Sequence, residues 1–372
     1  MDDSLSGTDR RVAVVGGGAV GLTAAHDLAQ RDAHVTLYDA GEVGGESTGR
    51  AAGILYDAFA EDVDAHVAAR ALDRFREFSG DGEFAVRETP YLWFVTEPGA
   101  KAEAIREQVA GMQRQGRHVE RIDADTVAER FPALRTDDVV EAAIAYDAGV
   151  VDTSAYADLL ASKAAERGVE IREQTPASVA TDPTRVNGER YDAVLVAAGA
   201  HTKRVLADAG FSVALKPYRV QALTANDPGE MPTFYDATAG YYARPHPTGL
   251  LAGDGTEPVE ADPGTYDRAG DDWFVDATRE RLADRLPGYD PDIERAWAGL
   301  CTATPDRDPL LGELADGLFV AAGWQGHGFM RAPATGEAIA EQILGDDGIA
   351  AFDPTRFTGE ESFDIVEGMT VE

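Results

Sequence analysis

The sequence has a single cysteine, Cys301, only four lysines and no long apolar run. One cysteine cannot form an intrachain disulfide, and no cysteine cluster exists to hold zinc or an iron–sulfur centre, so no metal site is predicted. No stretch approaches the roughly 18 apolar residues of a membrane span. Residues 1–11 lack the apolar segment of a secretory signal. We therefore expect a cytoplasmic protein without a membrane span.

Positive charge is also scarce. The chain carries 33 Lys and Arg against 67 Asp and Glu, which gives a formal net charge of −34. This charge disfavours nucleic-acid binding, because nucleic-acid phosphates are also negative. The acidic residues are spread along the whole chain, which favours a surface adapted to a salt-rich cytoplasm, as in an extreme halophile, over a patch for a basic partner.

Glycine is abundant near the N-terminus, where it follows a strand-like segment. The apolar run at residues 12–15 leads into Gly16, Gly18 and Gly21, and a helical stretch and a second strand-like run then end on Asp39. Strand, glycine turn, helix, strand and acid is the order of a dinucleotide-binding βαβ unit. In such a unit the helix N-terminus receives the phosphates, and the acid accepts a hydrogen bond from a ribose hydroxyl.

The rest of the chain alternates α/β segments with a middle region of short β-like runs. A tail after Phe357 is acidic and expected to be loose. Residues 212–300 interrupt the α/β pattern, so the domains should be discontinuous in sequence. The predicted elements are strands at 91–95, 193–197, 213–225 and 240–245, and helices at 100–115, 272–286 and one capped by Asp152 or Thr153.

Five segments coincide in order and spacing with a known family. They are VAVVGGGAVGL (12–22), ESTGRAAGIL (46–55), YDAVLVAAGAHT (191–202), AWAGLCTATPDRDPLLG (296–312) and FVAAGWQGHGFMRAPATGEAIA (319–340). Together they resemble the FAD-dependent D-amino-acid oxidase superfamily, which includes glycine oxidase, sarcosine oxidase and D-amino-acid dehydrogenase.

The resemblance implies an α/β fold in two parts. A Rossmann-like FAD-binding domain would comprise residues 1–85, 146–210 and 303–372. A discontinuous second α+β domain, built on a mostly antiparallel sheet, would comprise residues 86–145 and 211–302 and bind the substrate.

The resemblance also implies FAD as the cofactor. The residues implied to contact it are Gly16, Gly18, Ala19, Val20, Gly21, Asp39, Ser47, Thr48, Arg50, Ala51, Ala52, Gly53, Val179, Ala198, Gly199, Gly323, Gly326, His327, Gly328, Phe329 and Met330.

The implied reaction is oxidation of the C–N bond of a small D- or N-alkyl amino acid by hydride transfer to flavin, which gives an imine that hydrolyses. Oxygen or an electron carrier would reoxidise the flavin. Two alternatives stay open: an FAD-dependent dehydrogenase of 2-hydroxy acids or polyols, and a flavin-bound, non-catalytic subunit of a larger dehydrogenase. The sequence does not indicate an oligomeric state.

The substrate side departs from the family pattern. Glycine oxidases have arginine where this chain has Cys301, and monomeric sarcosine oxidases have lysine where it has Met330. The candidate catalytic residues are His327, Arg244, Tyr242 and Arg331.

The charge balance predicts a salt requirement. Self-repulsion should destabilise the fold in dilute buffer, so the free energy of unfolding should rise between about 0.2 M and about 2 M KCl as counterions screen the acidic surface. Chemical unfolding followed by circular dichroism measures this change. A stability that falls with added KCl would contradict the prediction.

Overall fold

The computed structural model describes residues 10–368 and residue 371. Its strands form two large sheets and two small ones. In chain order the strands are β1 Arg11–Val15, β2 His34–Tyr38, β3 Ile54–Tyr56, β4 Arg87–Glu88, β5 Tyr91–Val95, β6 Val119–Ile122, β7 Glu141–Ala145, β8 Ala148–Val150, β9 Glu170–Arg172, β10 Val179–Ala180, β11 Arg185–Val186, β12 Glu189–Arg190, β13 Ala193–Val196, β14 Lys216–Ala225, β15 Thr233–Asp236, β16 Tyr241–His246, β17 Gly249–Glu260, β18 Ile293–Ala303, β19 Leu310–Ala315 and β20 Leu318–Ala322.

The helices cover the first sheet and the outer face of the second. Each helix of the described residues is too short or too polar to cross a membrane. The helices are α1 Ala19–Gln30, α2 Ser47–Arg50, α3 Asp62–Phe78, α4 Ala100–Arg114, α5 Ala124–Arg130, α6 Thr153–Glu166, α7 Thr202–Asp208, α8 Asp272–Arg285 and α9 Gly328–Ile343, with short 3-10 turns at Gly199–His201, Ala350–Phe352 and Pro354–Arg356.

The first large sheet has the strand order β19-β20-β13-β1-β2-β9 and is parallel except for β19 at its edge. Because side chains alternate along a strand, Val12 and Val14 enter one core cluster while Ala13 and Val15 enter another on the opposite face. Both faces are therefore buried, as the uninterrupted apolar run at residues 12–15 requires.

The second large sheet has the order β18-β14-β17-β16-β15-β5-β7-β6 and is antiparallel except where β15 pairs with β5. Phe234, Tyr241 and Ala243 face a core that includes Phe274 of α8, and Tyr235 and Tyr242 face the other way. The two sheets confirm the predicted fold class. The predicted domain boundaries stay a prediction.

The expectation of a loose acidic tail is wrong for the residues described. Ile365 is buried against Tyr218 and Ala303, and the Gln325 side chain donates a hydrogen bond of 2.7 Å to the carbonyl of Val366. The apolar side chains within this acidic segment hold the tail on the second sheet. The tail consequently reaches the loop that precedes α9.

Candidate active site

The turn between β1 and α1 can be formed only by glycine at two positions. Gly16 has φ of +109°, and a Cβ there would lie 2.4 Å from the carbonyl oxygen of Ala197 on the neighbouring strand connection. A Cβ on Gly21 would lie 2.0 Å from the carbonyl oxygen of Gly16. The two glycines therefore let α1 begin directly against the carboxyl end of the parallel sheet.

The N-terminus of α1 faces a cavity without a side-chain cap. Its N-cap residue is Gly18, which has no side chain that could bond to the first-turn amides. The Ala19 amide donates to the hydroxyl of Thr48 at 2.9 Å. Gly18 and Val20 lie on the cavity wall. First-turn amides have no partner within their own helix, so this end of α1 can bind an anion such as a diphosphate.

Asp39 is fixed at the end of β2 by backbone amides. One carboxylate oxygen accepts from Gly17 at 2.7 Å, and the other accepts from Gly41 at 2.8 Å. A carboxylate has about four acceptor sites, so these two bonds leave capacity for a ribose hydroxyl. Asp39 lies on the cavity wall beside the α1 N-terminus.

One cavity of about 790 Å³ connects this end of the first sheet with the inner face of the second. Most of the residues predicted to contact the cofactor lie on its wall, together with Tyr242. Those on the wall are Gly16, Gly18, Ala19, Val20, Asp39, Ser47, Thr48, Arg50, Ala51, Ala52, Gly53, Ala198, Gly199, Gly326, His327, Gly328, Phe329 and Met330.

The N-terminus of α9 also opens onto this cavity. His327 is its N-cap and, within the described part of the chain, makes no side-chain capping bond, while Gly328, Phe329 and Met330 line the wall. A second set of unpaired amides and a second positive helix end therefore face the middle of the cavity. This arrangement can stabilise negative charge that develops on a bound ring system.

His327 is buried beside that helix end. Its Nε2 lies 3.1 Å from the hydroxyl of Tyr56, and its ring packs edge-on against Phe59. Burial, and then the charge of Arg331, lower the pKa of His327 to about 3. The imidazole is therefore neutral at physiological pH, and a group with this pKa is a poor base, which argues against proton removal as the role of this candidate catalytic residue.

Three predicted cofactor residues do not lie on the wall. Gly21 lies behind the β1–α1 turn, and Gly323, with φ of +90°, packs against Thr304. Val179 pairs with Val186 and enters a buried cluster. Pro176 and Ala177 line the wall in its place.

Arg331, predicted to contact substrate, is also off the wall. Its guanidinium lies 2.7 Å from the carboxylate of Asp64 on α3 and 4.6 Å from the ring centre of Phe59. Both charged side chains are largely buried. Removing one partner of such a pair costs about 3–5 kcal/mol, so Arg331 is committed to Asp64.

Arg244, a candidate catalytic residue of the sequence, is buried behind the 50–53 segment. It donates hydrogen bonds to the carbonyl of Ala52 and, at 2.9 Å, to the carbonyl of Pro245. Burial lowers the pKa of Arg244 to about 10. The side chain therefore supports the 50–53 segment from below, and it is absent from the wall of the cavity.

The far end of the cavity combines the predicted Tyr242 with residues that the sequence patterns did not identify. Tyr242 is paired across the sheet with Tyr235 on one side and Gly253 on the other. A Cβ on Gly253 would lie 2.1 Å from the Tyr242 hydroxyl, so that glycine makes room for the ring. The β14–β17 register shifts next to Gln221, and this bulge turns Asp254 toward the cavity.

Two further wall residues come from distant parts of the chain. Cys301 lies on β18, and burial raises the pKa of its thiol to about 12, so the thiol is protonated and unreactive. Glu367 comes from the tail and lies near Gly326. The glycine pair in GDGT (253–256) was the available sequence signal for the bulge, whereas the Glu367 position had none.

Comparisons with known proteins agree with this architecture. The sequence model of the family described as "DAO: FAD dependent oxidoreductase" matches residues 11–342. A glycine oxidase of Geobacillus kaustophilus is 27% identical over an alignment of 378 positions, which covers 94% of this chain and 97% of that protein.

Two other similar proteins differ in length and name. The MnmC bifunctional protein of Maricaulis maris, named for tRNA 5-methylaminomethyl-2-thiouridine biosynthesis, is 29% identical, and the match covers 97% of this chain but 58% of that protein. The crystal structure of an L-proline dehydrogenase from P. horikoshii superimposes with a TM-score of 0.85 at 26% identity, covering 94% of this chain and 97% of that one.

The α1 N-terminus predicts the effect of a side chain at Gly18. Gly18→Val places a branched side chain on the wall where a diphosphate would approach the amides, so we expect the purified variant to lose bound flavin. Absorbance of the folded protein measures this loss. Gly18→Ala, with a single methyl group next to Thr48, should retain more flavin than the valine variant. A yellow, fully loaded Gly18→Val protein would contradict the assignment.

The lowered pKa of His327 predicts acid sensitivity. The unfolded state takes up a proton near pH 6.5 and the folded state only near pH 3, so stability is lost as the pH falls through this window. His327→Gln should flatten the decline in unfolding free energy between about pH 6 and about pH 4. His66→Gln, at an exposed histidine, is the control. Identical slopes for wild type and His327→Gln would refute the account.

Proposed function

Because the chain belongs to the DAO family of FAD-dependent oxidoreductases, we propose that it oxidises the C–N bond of a small amine, with FAD as its cofactor. D- and N-alkyl amino acids are the class that the sequence predicts. Relatives named glycine oxidase and sarcosine oxidase subunit beta support an amine as the reacting group. So does the 4-methylaminobutanoate oxidase of Paenarthrobacter nicotinovorans, 28% identical, of which the match covers 46%.

The observation that carries this proposal is the continuity of the cavity. A single volume of about 790 Å³ extends from the α1 amides, past the α9 N-terminus, to tyrosines on the second sheet. A bound dinucleotide would occupy the first part, and a small substrate would fit between its ring system and the sheet. Ligands of this kind bind in concave, largely apolar sites with a few oriented polar groups.

The residues present fit FAD. The amides of Gly18 and Val20 would hold the diphosphate, and Asp39 would accept a hydrogen bond from a ribose hydroxyl. The 50–53 segment and the α9 N-terminus would hold the flavin. Arg244 holds that segment through its hydrogen bond to Ala52.

FAD, when bound, would supply the oxidising power, as the acceptor of a hydride equivalent from the carbon next to nitrogen; the resulting C=N bond would be hydrolysed by water. The chain binds, orients and shields. The amides at the start of α9 favour negative charge on the neighbouring ring. The tyrosine and phenylalanine rings packed around Tyr56 limit the entry of water, with Tyr91 stacked at 4.6 Å and Phe59 at 5.4 Å between ring centres.

The substrate amine must be neutral when it reacts, since its nitrogen lone pair assists departure of the hydride. His327 is too weak a base to take the ammonium proton at neutral pH. Burial raises the pKa of Tyr56 and Tyr242, so both phenols are protonated and act as hydrogen-bond donors. Their role in the proposal is to position the amine and not to remove its proton.

Anaerobic titration of the flavoprotein in molar KCl tests the proposal. We expect loss of flavin absorbance with at least one member of a panel of amines, among them glycine, sarcosine, D-alanine, proline and N-methylated alkylamines. The matched hydroxy compounds, glycolate and lactate, should leave the absorbance unchanged. Mixing the reduced protein with oxygen or with a dye then identifies the acceptor.

Two results would contradict the proposal. Bleaching by lactate or glycolate but by none of the amines would identify a 2-hydroxy acid dehydrogenase. A protein that binds FAD and is bleached by no member of the panel would favour a non-catalytic subunit.

A further inference from the structure

The arginines on the cavity wall all lie at the Asp39 end. Within the described residues they are Arg50, Arg204 and Arg268. Arg50 and Arg268 both bond to Glu46, and Arg204 lies 3.3 Å from the ring of His201. His201 in turn is close enough to Asp39 and Glu46 for their charges to affect its pKa.

The opposite end carries negative charge. Asp254 and Glu367 lie on the wall there, together with Tyr235 and Tyr242. The charges of both carboxylates help to raise the pKa values of the two tyrosines, after burial, which places all four side chains near one another. A substrate carboxylate would meet two like charges and, among the residues described, no guanidinium or ammonium on this part of the wall.

Tyr235 gives an independent indication of a ligand. Its side chain lies on the wall and the residue is only 8% exposed. Its hydroxyl makes no hydrogen bond to another described residue, and the side chain faces the cavity, so this hydroxyl is available to a ligand. Tyrosine faces also attract alkylammonium groups. A ligand with a positive end could therefore contact the faces of these rings and the carboxylate of Asp254.

Hydrogen bonds fix the carboxylate of Asp254 on the cavity wall, where a cationic group could reach it. Its carboxylate accepts hydrogen bonds from Thr256, from the hydroxyl at 3.0 Å and from the backbone amide at 3.4 Å. Burial raises the pKa of Asp254, and these bonds, together with the charge of Arg281 on α8, oppose the increase. A cation bound next to the carboxylate would remove the cost of burying an unpaired charge.

We propose that the substrate is an amine with a second group that is cationic at neutral pH, and that Asp254, with Glu367, Tyr235 and Tyr242 around it, binds that group in place of a carboxylate anchor. The inference rests on the proposed function for the reacting C–N bond. As the proposed substrate class, alkyl diamines and related polyamines replace the D- and N-alkyl amino acids. The oxidised nitrogen would face the flavin, and the distal ammonium would lie at the second sheet.

A matched pair of substrates tests this. N-methylputrescine and 4-methylaminobutanoate share an N-methylamino group on a short alkyl chain and differ in the charge of the far end. In anaerobic titrations we expect N-methylputrescine to bleach the flavin with a dissociation constant about tenfold lower or better, as is typical of hydrogen bonds to charged groups.

The carboxylate is tested by Asp254→Asn, which preserves shape. In this variant the dissociation constant of N-methylputrescine should rise by about tenfold or more. The dissociation constant of 4-methylaminobutanoate should stay the same or fall. Asp316→Asn, in the exposed turn between β19 and β20, is the matched control and should change neither constant. Flavin content and thermal unfolding check that both variants are folded and loaded.

Calorimetry with unreactive ligands separates binding from chemistry. Butyltrimethylammonium has no nitrogen lone pair and cannot be oxidised by this route, and butanoate is its anionic counterpart. We expect the oxidised flavoprotein to bind the first more tightly, and Asp254→Asn to abolish the difference.

Tighter binding of butanoate, or an Asp254→Asn protein that still prefers the cation by the same factor, would overturn the inference. If 4-methylaminobutanoate bleaches the flavin better than N-methylputrescine, the proposed C–N oxidation stands and the cation site is wrong. If no amine bleaches the flavin, the proposed function fails, and calorimetry still decides the charge preference.

Discussion

Two helix N-termini, those of α1 and α9, open onto one cavity without side-chain caps, and binding of an anionic cofactor to this strongly acidic chain depends on them. The overall field of a chain with net charge −34 opposes a diphosphate. Backbone amides act at hydrogen-bond distance, where salt screens far less than it does over the surface. The local dipoles can therefore prevail, most easily in concentrated salt.

The charged side chains on the cavity wall are distributed unevenly along its length. The arginines of the wall lie at the end assigned to the diphosphate and are themselves bonded to Glu46 or close to His201. The middle is aromatic and holds the neutral His327. The far end is anionic. An amine with two nitrogens would span this gradient, with its reacting nitrogen in the neutral middle and its cation at Asp254.

The sequence predicted the first sheet better than the far end of the cavity, for physical reasons. Gly16, Gly18 and Asp39 belong to one local βαβ unit, so their spacing alone places them. Asp254 reaches the cavity through a β-bulge, and no strand alternation predicts such a reversal. Arg331 was expected at the substrate, but its partner Asp64 is 267 residues away in the chain and became visible only in the fold.

Two other predicted site residues, Val179 and Arg244, lie off the cavity wall for local reasons. Val179 was expected beside the cofactor, yet its strand turns it into the core, and Ala177, two residues earlier, lies on the wall. The predicted Tyr242 is on the wall as strand alternation implied, whereas Arg244, on the same face, bonds to Ala52 below the cavity. Strand alternation predicts the face of the sheet on which a side chain lies. It does not predict where the guanidinium at the end of a long arginine side chain lies.

A crystal structure of the FAD-loaded protein grown from concentrated salt tests the central claim most directly. We expect diphosphate oxygens within about 3 Å of the Gly18 and Val20 amides, and the flavin ring edge at a similar distance from the amides that begin α9. A diphosphate held by the exposed guanidinium groups of Arg204 and Arg268, with no oxygen at hydrogen-bond distance from the Gly18 and Val20 amides, would contradict this claim.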